Sequence, residues 1–274
     1  MESEFTPVLV DTHCHLNFNV FDPDRENVVD RARNHGVNRI LIPGIDIETS
    51  RFAIQLAHNY PEVYVAVGMH PNQGLNWTNS VISELKKLAQ DDKVIAIGEI
   101  GLDYYRDQAP KDVQRSMFRQ QLDLAAELEL PVIIHNRAAS EDIFYILQEW
   151  YKLVVKSGLE LANRPGVLHS FSGDEAFAND VILLNFKIGI TGPVTFHKSV
   201  NLQSLVGVLT IDNLLIETDS PFLTPNPYRG KRNEPANVRI VAEKISELKD
   251  TPLKIVAKIT TATADKLFRW RVPH

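Results

Sequence analysis

The sequence holds a single cysteine, Cys14, which excludes an internal disulfide and a four-cysteine zinc cluster. No apolar run approaches the ~20 residues that a membrane-spanning helix needs. The opening residues, MESEFTP, carry no charged-then-apolar leader. No excess of positive charge is present either: 29 basic side chains against 35 acidic ones give a net charge of −6. That balance argues against a generally basic nucleic-acid coat or a polybasic membrane anchor, while leaving room for a local basic patch. Three motifs are also missing. Without G-x-G-x-x-G after the first strand-like run a dinucleotide fold has no support, without G-x-x-x-x-G-K-[ST] there is no phosphate-binding loop, and without G-x-S-x-G there is no serine nucleophile elbow. A cytoplasmic protein with no membrane attachment and no obligate protein partner is the expectation.

What the sequence has is apolar content and order. Apolar residues make up 44% of 274, enough for a substantial core. Short β-rich runs recur along the chain at Val8–Val10, Arg39–Ile42, Val63–Val67, Val94–Ile97, Val132–Ile134, Gly166–Leu168, Phe186–Ile190 and Leu214–Ile216. Many are bounded by Gly or Pro, as buried parallel strands are. Helix-compatible stretches lie between them: Asp24–His35, Ser80–Gln90 with Ser80 as its cap, Lys111–Leu130 stopped by Pro131, Asp142–Val155, Glu234–Leu248 and Pro252–Trp270. Eight strand-plus-helix units over this length predict a TIM-type (β/α)8 barrel, a doubly wound open sheet being the competitor. No linker or low-complexity segment interrupts the repeat, so residues 1–274 read as one domain; Lys156–Arg164 alone strains it, as a loop insertion.

Barrel enzymes place their chemistry at the C-terminal ends of the strands, and the polar residues fall there. The first run leads into Asp11-Thr12-His13-Cys14-His15, the third into His70, the fourth into Glu99 and Asp103, the fifth into His135-Asn136-Arg137, the sixth into His169, and the eighth into Glu217-Thr218-Asp219. Five of the nine histidines sit at these ends, and His197 lies in the loop after the seventh strand. His35, His58 and His274 read as solvated surface residues. In His13-x-His15 both imidazoles point to one side of an extended strand, while Cys14 points into packing. Imidazole with carboxylate suits Zn²⁺, Mn²⁺ and related divalent ions.

His13, His15, Glu99, His135, His169 and Asp219 supply more donors than one tetrahedral ion uses. Two divalent ions about 3.5–4 Å apart use the set better, with Glu99 as the bridge. Asp219 would bind metal and take a proton from the attacking water, and a metal-bound hydroxide implies hydrolysis. His70 is not needed as a ligand; its expected role is to hydrogen-bond a phosphate oxygen or to protonate the leaving group.

These residues resemble the TatD-type metal-dependent deoxyribonucleases among the amidohydrolase-like barrels. The likeness rests on Leu9-Val10-Asp11-Thr12-His13-Cys14-His15-Leu16-Asn17, Pro131-Val132-Ile133-Ile134-His135-Asn136-Arg137 and Leu215-Ile216-Glu217-Thr218-Asp219-Ser220-Pro221. Gly68-Met69-His70-Pro71, Gly98-Glu99-Ile100-Gly101-Leu102-Asp103-Tyr104, His169-Ser170-Phe171-Ser172-Gly173 and Arg232-Asn233-Glu234-Pro235 extend it over nearly the whole chain. The resemblance implies phosphodiester hydrolysis of DNA, with 3′–5′ exonuclease polarity. Its metal ligands fall on the six residues above and its substrate-facing histidine on His70. Family members are generally assayed with Mg²⁺, so Mg²⁺, Mn²⁺ and Zn²⁺ all stand as the ion. The family's usual asparagine in a Thr-x-Asn-Ala stretch is Thr263 here.

A polyanion must be held by a protein of net negative charge. Two divalent ions would add about +4 at the site, and Arg106, Lys111, Arg137, Lys198, Arg229, Lys231 and Arg232 lie in loops of the same face. The run Tyr228-Arg229-Gly230-Lys231-Arg232-Asn233 is placed to grip a flanking phosphate. Tyr104, Tyr105, Phe171 and Phe222 are candidates for stacking unpaired bases, so strand ends or single strands are the expected DNA. Asp103 also stands among the candidate substrate contacts. The same centre would serve an amide, a lactone or an aminoacyl-tRNA ester, which is the competing assignment.

Overall fold

In the computed structural model, which describes residues 7–106 and 108–270, the β-branched runs form eight strands. These are β1 (Leu9–Asp11), β2 (Val37–Pro43), β3 (Val63–Val67), β4 (Val94–Asp103), β5 (Val132–Arg137), β6 (Gly166–Leu168), β7 (Lys187–Ile190) and β8 (Leu214–Ile216). They pair in parallel in chain order from β1 to β8. Just beyond β8 and β1 the seam is drawn together by backbone bonds: Thr12 N–H to Ile216 O (3.2 Å), Asp219 N–H to His13 O (2.8 Å) and His15 N–H to Ser220 O (2.8 Å). The helices are α1 (Arg25–Asn34), α2 (Ile47–Asn59), α3 (Asn79–Leu88), α4 (Lys111–Leu128), α5 (Ser140–Lys156), α6 (Glu175–Leu183), α7 (Val200–Val208), α8 (Val238–Leu248) and α9 (Leu253–Phe268). The architecture is the expected (β/α)8 barrel. Among the described residues no helix is long and apolar enough to cross a membrane.

Alternation along each strand separates two apolar layers. Ile40, Ile42, Val65, Val94, Ile134 and Ile188 pack outward against helix residues such as Val29, Phe118, Ile146 and Val241. Val10, Leu41, Tyr64, Ile95, Ile133, Val167 and Leu215 pack inward and meet Leu267, Phe268 and Trp270 at the end of α9. Each such side chain contributes roughly 1.5–3 kcal/mol on burial. α9 therefore closes the N-terminal end of the barrel and leaves the C-terminal end as the mouth.

Several boundaries differ from the sequence reading. β4 does not stop at Ile97: its register with β5 shifts between Ile97 and Ile100, and pairing resumes through Asp103. The extra residue is a bulge, which re-aims Glu99. Gly101 (φ 140°) permits the resumed pairing, since a Cβ there would lie 2.1 Å from the His135 carbonyl oxygen. α3 starts at Asn79 after Thr78, so Ser80 lies inside it and is not the cap. α4 ends at Leu128 with Glu129 left-handed (φ 51°), before Pro131 is reached. α2, α6 and α7 fill the remaining units; Asp46 caps α2 and Asp174 caps α6 through their side chains.

Lys156–Arg164 is more than an insertion. A short 3₁₀ turn at Glu160–Asn163 buries Leu161, and Arg164 donates to the carbonyls of Leu267 and Glu129, bracing the barrel floor. Thr263 sits buried within an intact α9 and donates to Asp212 O at 3.4 Å. His35 and His58 are exposed as expected; Met1–Thr6 and His274 lie outside the described residues.

Candidate metal centre

Each strand end delivers one or two polar side chains to the mouth, and the loops behind them are held by buried amides and hydroxyls. Asp11 accepts from Thr218 N–H (2.9 Å), Thr218 Oγ1–H (2.6 Å) and His13 N–H (3.3 Å), joining the ends of β1 and β8. Burial pushes its carboxyl up to about 8 despite those bonds. Asn233 donates to Thr218 O (2.9 Å) and Phe222 O (2.7 Å). Between them Asp219 adopts a left-handed backbone (φ 53°), a conformation disfavoured for a residue with a Cβ. Gln121 accepts from Met69 N–H and donates to Met69 O, fixing the residue before His70. Gln114 clamps Asp103 in the same way. Sequence reading missed these supports. Asp11 alone had a local signal, in its place two residues before His13.

The six expected ligands converge. His13 Nε2 and His15 Nε2 lie 3.3 Å apart. Glu99 Oε2 is 3.5 and 3.6 Å from them, and Asp219 Oδ1 is 3.7 and 3.6 Å from them. Metal–ligand bonds of about 2.1 Å would set tetrahedral donors about 3.4 Å apart. Five edges of that four-atom figure match, and most are too long for good hydrogen bonds. On the other side, Glu99 Oε1 lies 2.7 Å from His135 Nδ1 and 2.9 Å from His169 Nε2, while those two nitrogens are 3.4 Å apart. Glu99 thus turns one oxygen to each half. Cys14, between the two histidines in sequence, is buried in the outer apolar layer.

The halves differ electrostatically. Burial holds His13 down to about 4 and His15 down to about 3, so both rings are neutral with lone pairs to offer. Burial also works against a charged His169, but the carboxylates of Glu99 and Glu217 outweigh it and hold that imidazole well above its usual range. His135 is raised too: Asp103 and Glu99 outweigh its burial. Burial likewise opposes ionisation of Glu99, and the surrounding imidazoles, His169 foremost, more than reverse this. Burial pushes Asp219 up to about 7. Neutral imidazoles with carboxylates in one half, and a carboxylate holding imidazolium protons in the other, are a donor set that fits divalent cations.

His70 stands at the edge, its Nε2 3.6 Å from Glu99 Oε1. Its Nδ1 accepts from Asn72 N–H at 3.1 Å. A neutral ring with that acceptor must carry its proton on Nε2, so His70 presents an N–H to the mouth and not a lone pair.

The candidate substrate residues part company. Arg137 is exposed and stacks over exposed Tyr105 at 4.3 Å. Arg229 is exposed over Phe196 (4.3 Å) and Lys231 over Tyr228 (5.7 Å). Arg232 is instead committed to Asp24, with two bonds of 2.8 Å, and to Val20 O. Tyr104 bonds through its hydroxyl to Asp142 and Arg115, turned toward α4 and α5. Asp103 is fully buried, accepts from Tyr105 N–H and Arg106 N–H, and faces His135 Nε2 at 3.4 Å. Its place is that of a support. Phe171 is buried against Phe177, whereas Phe222 is exposed, its ring edge-on to His15 and Phe18.

A family model described as TatD related DNase matches residues 10–269. The chain is 44% identical over 262 residues to the uncharacterized metal-dependent hydrolase YabD of Bacillus subtilis, covering 96% of this chain and 99% of that one. It is 35% identical over 260 residues to the protein named 3′-5′ ssDNA/RNA exonuclease TatD of a Rahnella species, with 92% and 95% covered. The crystal structure of YjjV, a TatD homologue from Escherichia coli K12, superposes with a TM-score of 0.87 at 31% identity, covering 95% of this chain and 98% of that one. With these matches spanning barrel and mouth alike, the chain belongs to the TatD-related DNase family of metal-dependent hydrolases.

Proposed function

We propose that this chain hydrolyses phosphodiester bonds of DNA, shortening exposed strand ends or single strands from the 3′ end, with two divalent cations (Mg²⁺, Mn²⁺ or Zn²⁺) held by His13, His15, Glu99, His135, His169 and Asp219. The observation that carries the reading is Glu99, whose oxygens face two separate donor groups 3.5–3.6 Å and 2.7–2.9 Å away. Divalent cations held there supply Lewis acidity, drawing in a phosphate oxygen and lowering the pKa of water. The name of the Rahnella relative supports 3′–5′ polarity on single-stranded DNA or RNA, and the family's description favours DNA.

The chain's own groups supply the rest. Asp219 has its proton affinity lifted by burial to about 7, so its carboxyl is suited to take a proton near neutral pH. His70, neutral because burial holds it down to about 3, offers Nε2–H to a non-bridging phosphate oxygen. A neutral imidazole is a weak acid, so hydrogen bonding suits it better than protonating a leaving group. Exposed Arg137, Arg229 and Lys231, each lying over an aromatic ring, would present their charges to flanking phosphates, and exposed Tyr105 and Phe222 their rings to unpaired bases.

The test is a substrate panel: single-stranded DNA labelled at either end, RNA, a lactone, an amide and an aminoacyl-tRNA, each with added Mg²⁺, Mn²⁺ or Zn²⁺ and with chelator. The expected result is metal-dependent shortening of DNA from its 3′ end, abolished by chelator. Turnover of an amide, lactone or aminoacyl ester with intact DNA would overturn it.

A further inference from the structure

We propose that Glu217 is a positioning residue for the metal centre: lying inside the barrel, its carboxylate faces His169 Nδ1 and favours the tautomer with the proton there, which leaves the Nε2 lone pair for a divalent cation. The inference rests on the cation-binding part of the function proposed above and is independent of the substrate.

The phase of β8 points Glu217 inward. Leu215 belongs to the inner apolar layer, and residues two apart on a strand share a face. Glu217 is therefore one layer above Leu215, and Asp219 one step further toward the mouth. Glu217 is 0% exposed. Neither of its carboxyl oxygens makes a well-formed hydrogen bond among the described residues; the groups that face it are the His169 ring and the Ser170 N–H, and a buried carboxylate so weakly matched costs stability. The neighbouring strand makes room for it. A Cβ at Gly189 on β7 would lie 1.5 Å from Glu217 Oε1, so the glycine leaves open the space that the carboxyl occupies. A position that needed only to fill volume would be served by an aliphatic side chain with a larger residue opposite.

Opposite it is His169 Nδ1, also buried without a hydrogen-bond partner among the described residues. It faces Glu217 Oε2 at 3.7 Å, while His169 Nε2 faces Glu99 Oε1 at 2.9 Å. A carboxylate behind a ligating histidine sets its tautomer and raises its basicity. The same relation recurs next door, where His135 has Glu99 at one nitrogen and the fully buried Asp103 at the other, 3.4 Å away. His13 and His15 lack it: their Nδ1 atoms have no hydrogen-bond partner among the described residues. Buried carboxylates thus back both histidines of one half of the centre and neither histidine of the other.

The experiment compares wild type with Glu217→Gln, which keeps shape and removes charge. Metal-free protein is titrated with Mn²⁺ and separately with Zn²⁺ by calorimetry, and the melting temperature of the metal-free forms is measured alongside. Affinity for at least one ion should fall about 10–100-fold, while the metal-free melting temperature is unchanged or rises. Equal affinities in the two proteins would overturn the inference, as would a loss of affinity accompanied by a lower metal-free melting temperature, the mark of a merely structural role. Wild type that binds neither ion would instead overturn the metal centre itself. His35→Gln, an exposed change just past the end of α1, serves as the control that moves neither reading.

Discussion

At the floor of the barrel Trp270 packs on Tyr64 and Phe268 with ring centroids 5.0 and 5.1 Å apart, among aliphatic neighbours. At the mouth His13 and His169 stack at 3.9 Å amid carboxylates. The same strands lead to both ends, Val10 on β1 below and His13 just past it above, Leu215 on β8 below and Asp219 just past it above. The floor is mostly apolar, and its buried groups without a hydrogen-bond partner among the described residues are two isolated nitrogens, Trp270 Nε1 and Arg164 Nε. Among the described residues the mouth concentrates buried nitrogens and oxygens without hydrogen bonds, including His13 Nδ1, His169 Nδ1 and both oxygens of Glu217. Unmatched polar atoms in a core cost stability, so the difference separates what holds the fold from what awaits a ligand.

The sharpest test of that separation pairs one substitution from each end. Asp219→Asn should lower hydrolysis about 10⁴-fold, the upper range for losing a group that moves a proton, with urea unfolding of the metal-free protein nearly unchanged. Phe268→Ala should lower unfolding free energy by about 3–5 kcal/mol and leave turnover per folded molecule intact. A Phe268→Ala protein that is stable but inactive would break the division between the ends.

The two ends were not equally legible in the sequence. Strands announce themselves through β-branched runs bounded by Gly and Pro, and the barrel rule then points to the polar residues in the first few positions beyond each run, which singles out His13, His15, Glu99, His135, His169 and Asp219 as candidates. Residues whose contacts depend on a distant partner are not legible in this way. Arg232 sits in a basic loop by sequence, yet Asp24, 208 positions away, takes its guanidinium. Tyr104 looks like its neighbour Tyr105 until Asp142 and Arg115 claim its hydroxyl. Glu217 seems one more acidic residue before Asp219, and only the glycine on β7 shows that the barrel opens a space for it. The glycines at 98 and 101 read as the end of β4 because a bulge and a strand end have the same local signature.

His70 sharpens the comparison within the mouth. If it only donates through Nε2, His70→Ala should lower turnover about 10²-fold and leave bound metal, measured by elemental analysis, at the wild-type level. Loss of metal would place it among the ligands and shift the boundary between holding a cation and touching the substrate.

The smallest expected effect lies at the rim, where Asp24 meets Arg232 at 2.8 Å. This pair lies on the loops of the mouth but should behave as the floor does, through stability alone. The Arg232 guanidinium holds the Asp24 carboxyl below its ordinary value. A folded-state pKa below the unfolded one means that the contribution is present above the unfolded value of 3.8 and disappears as pH falls through the folded one. Asp24→Asn should therefore cost about 0.5 kcal/mol at neutral pH, the scale of a partly exposed ion pair, with the gap from wild type closing as the pH is taken below 3.8 in urea titrations. Turnover of DNA should not change. A substantial gain in DNA affinity on freeing Arg232 would instead show that the ion pair withholds a cation from the substrate, and the rim would then belong with the mouth.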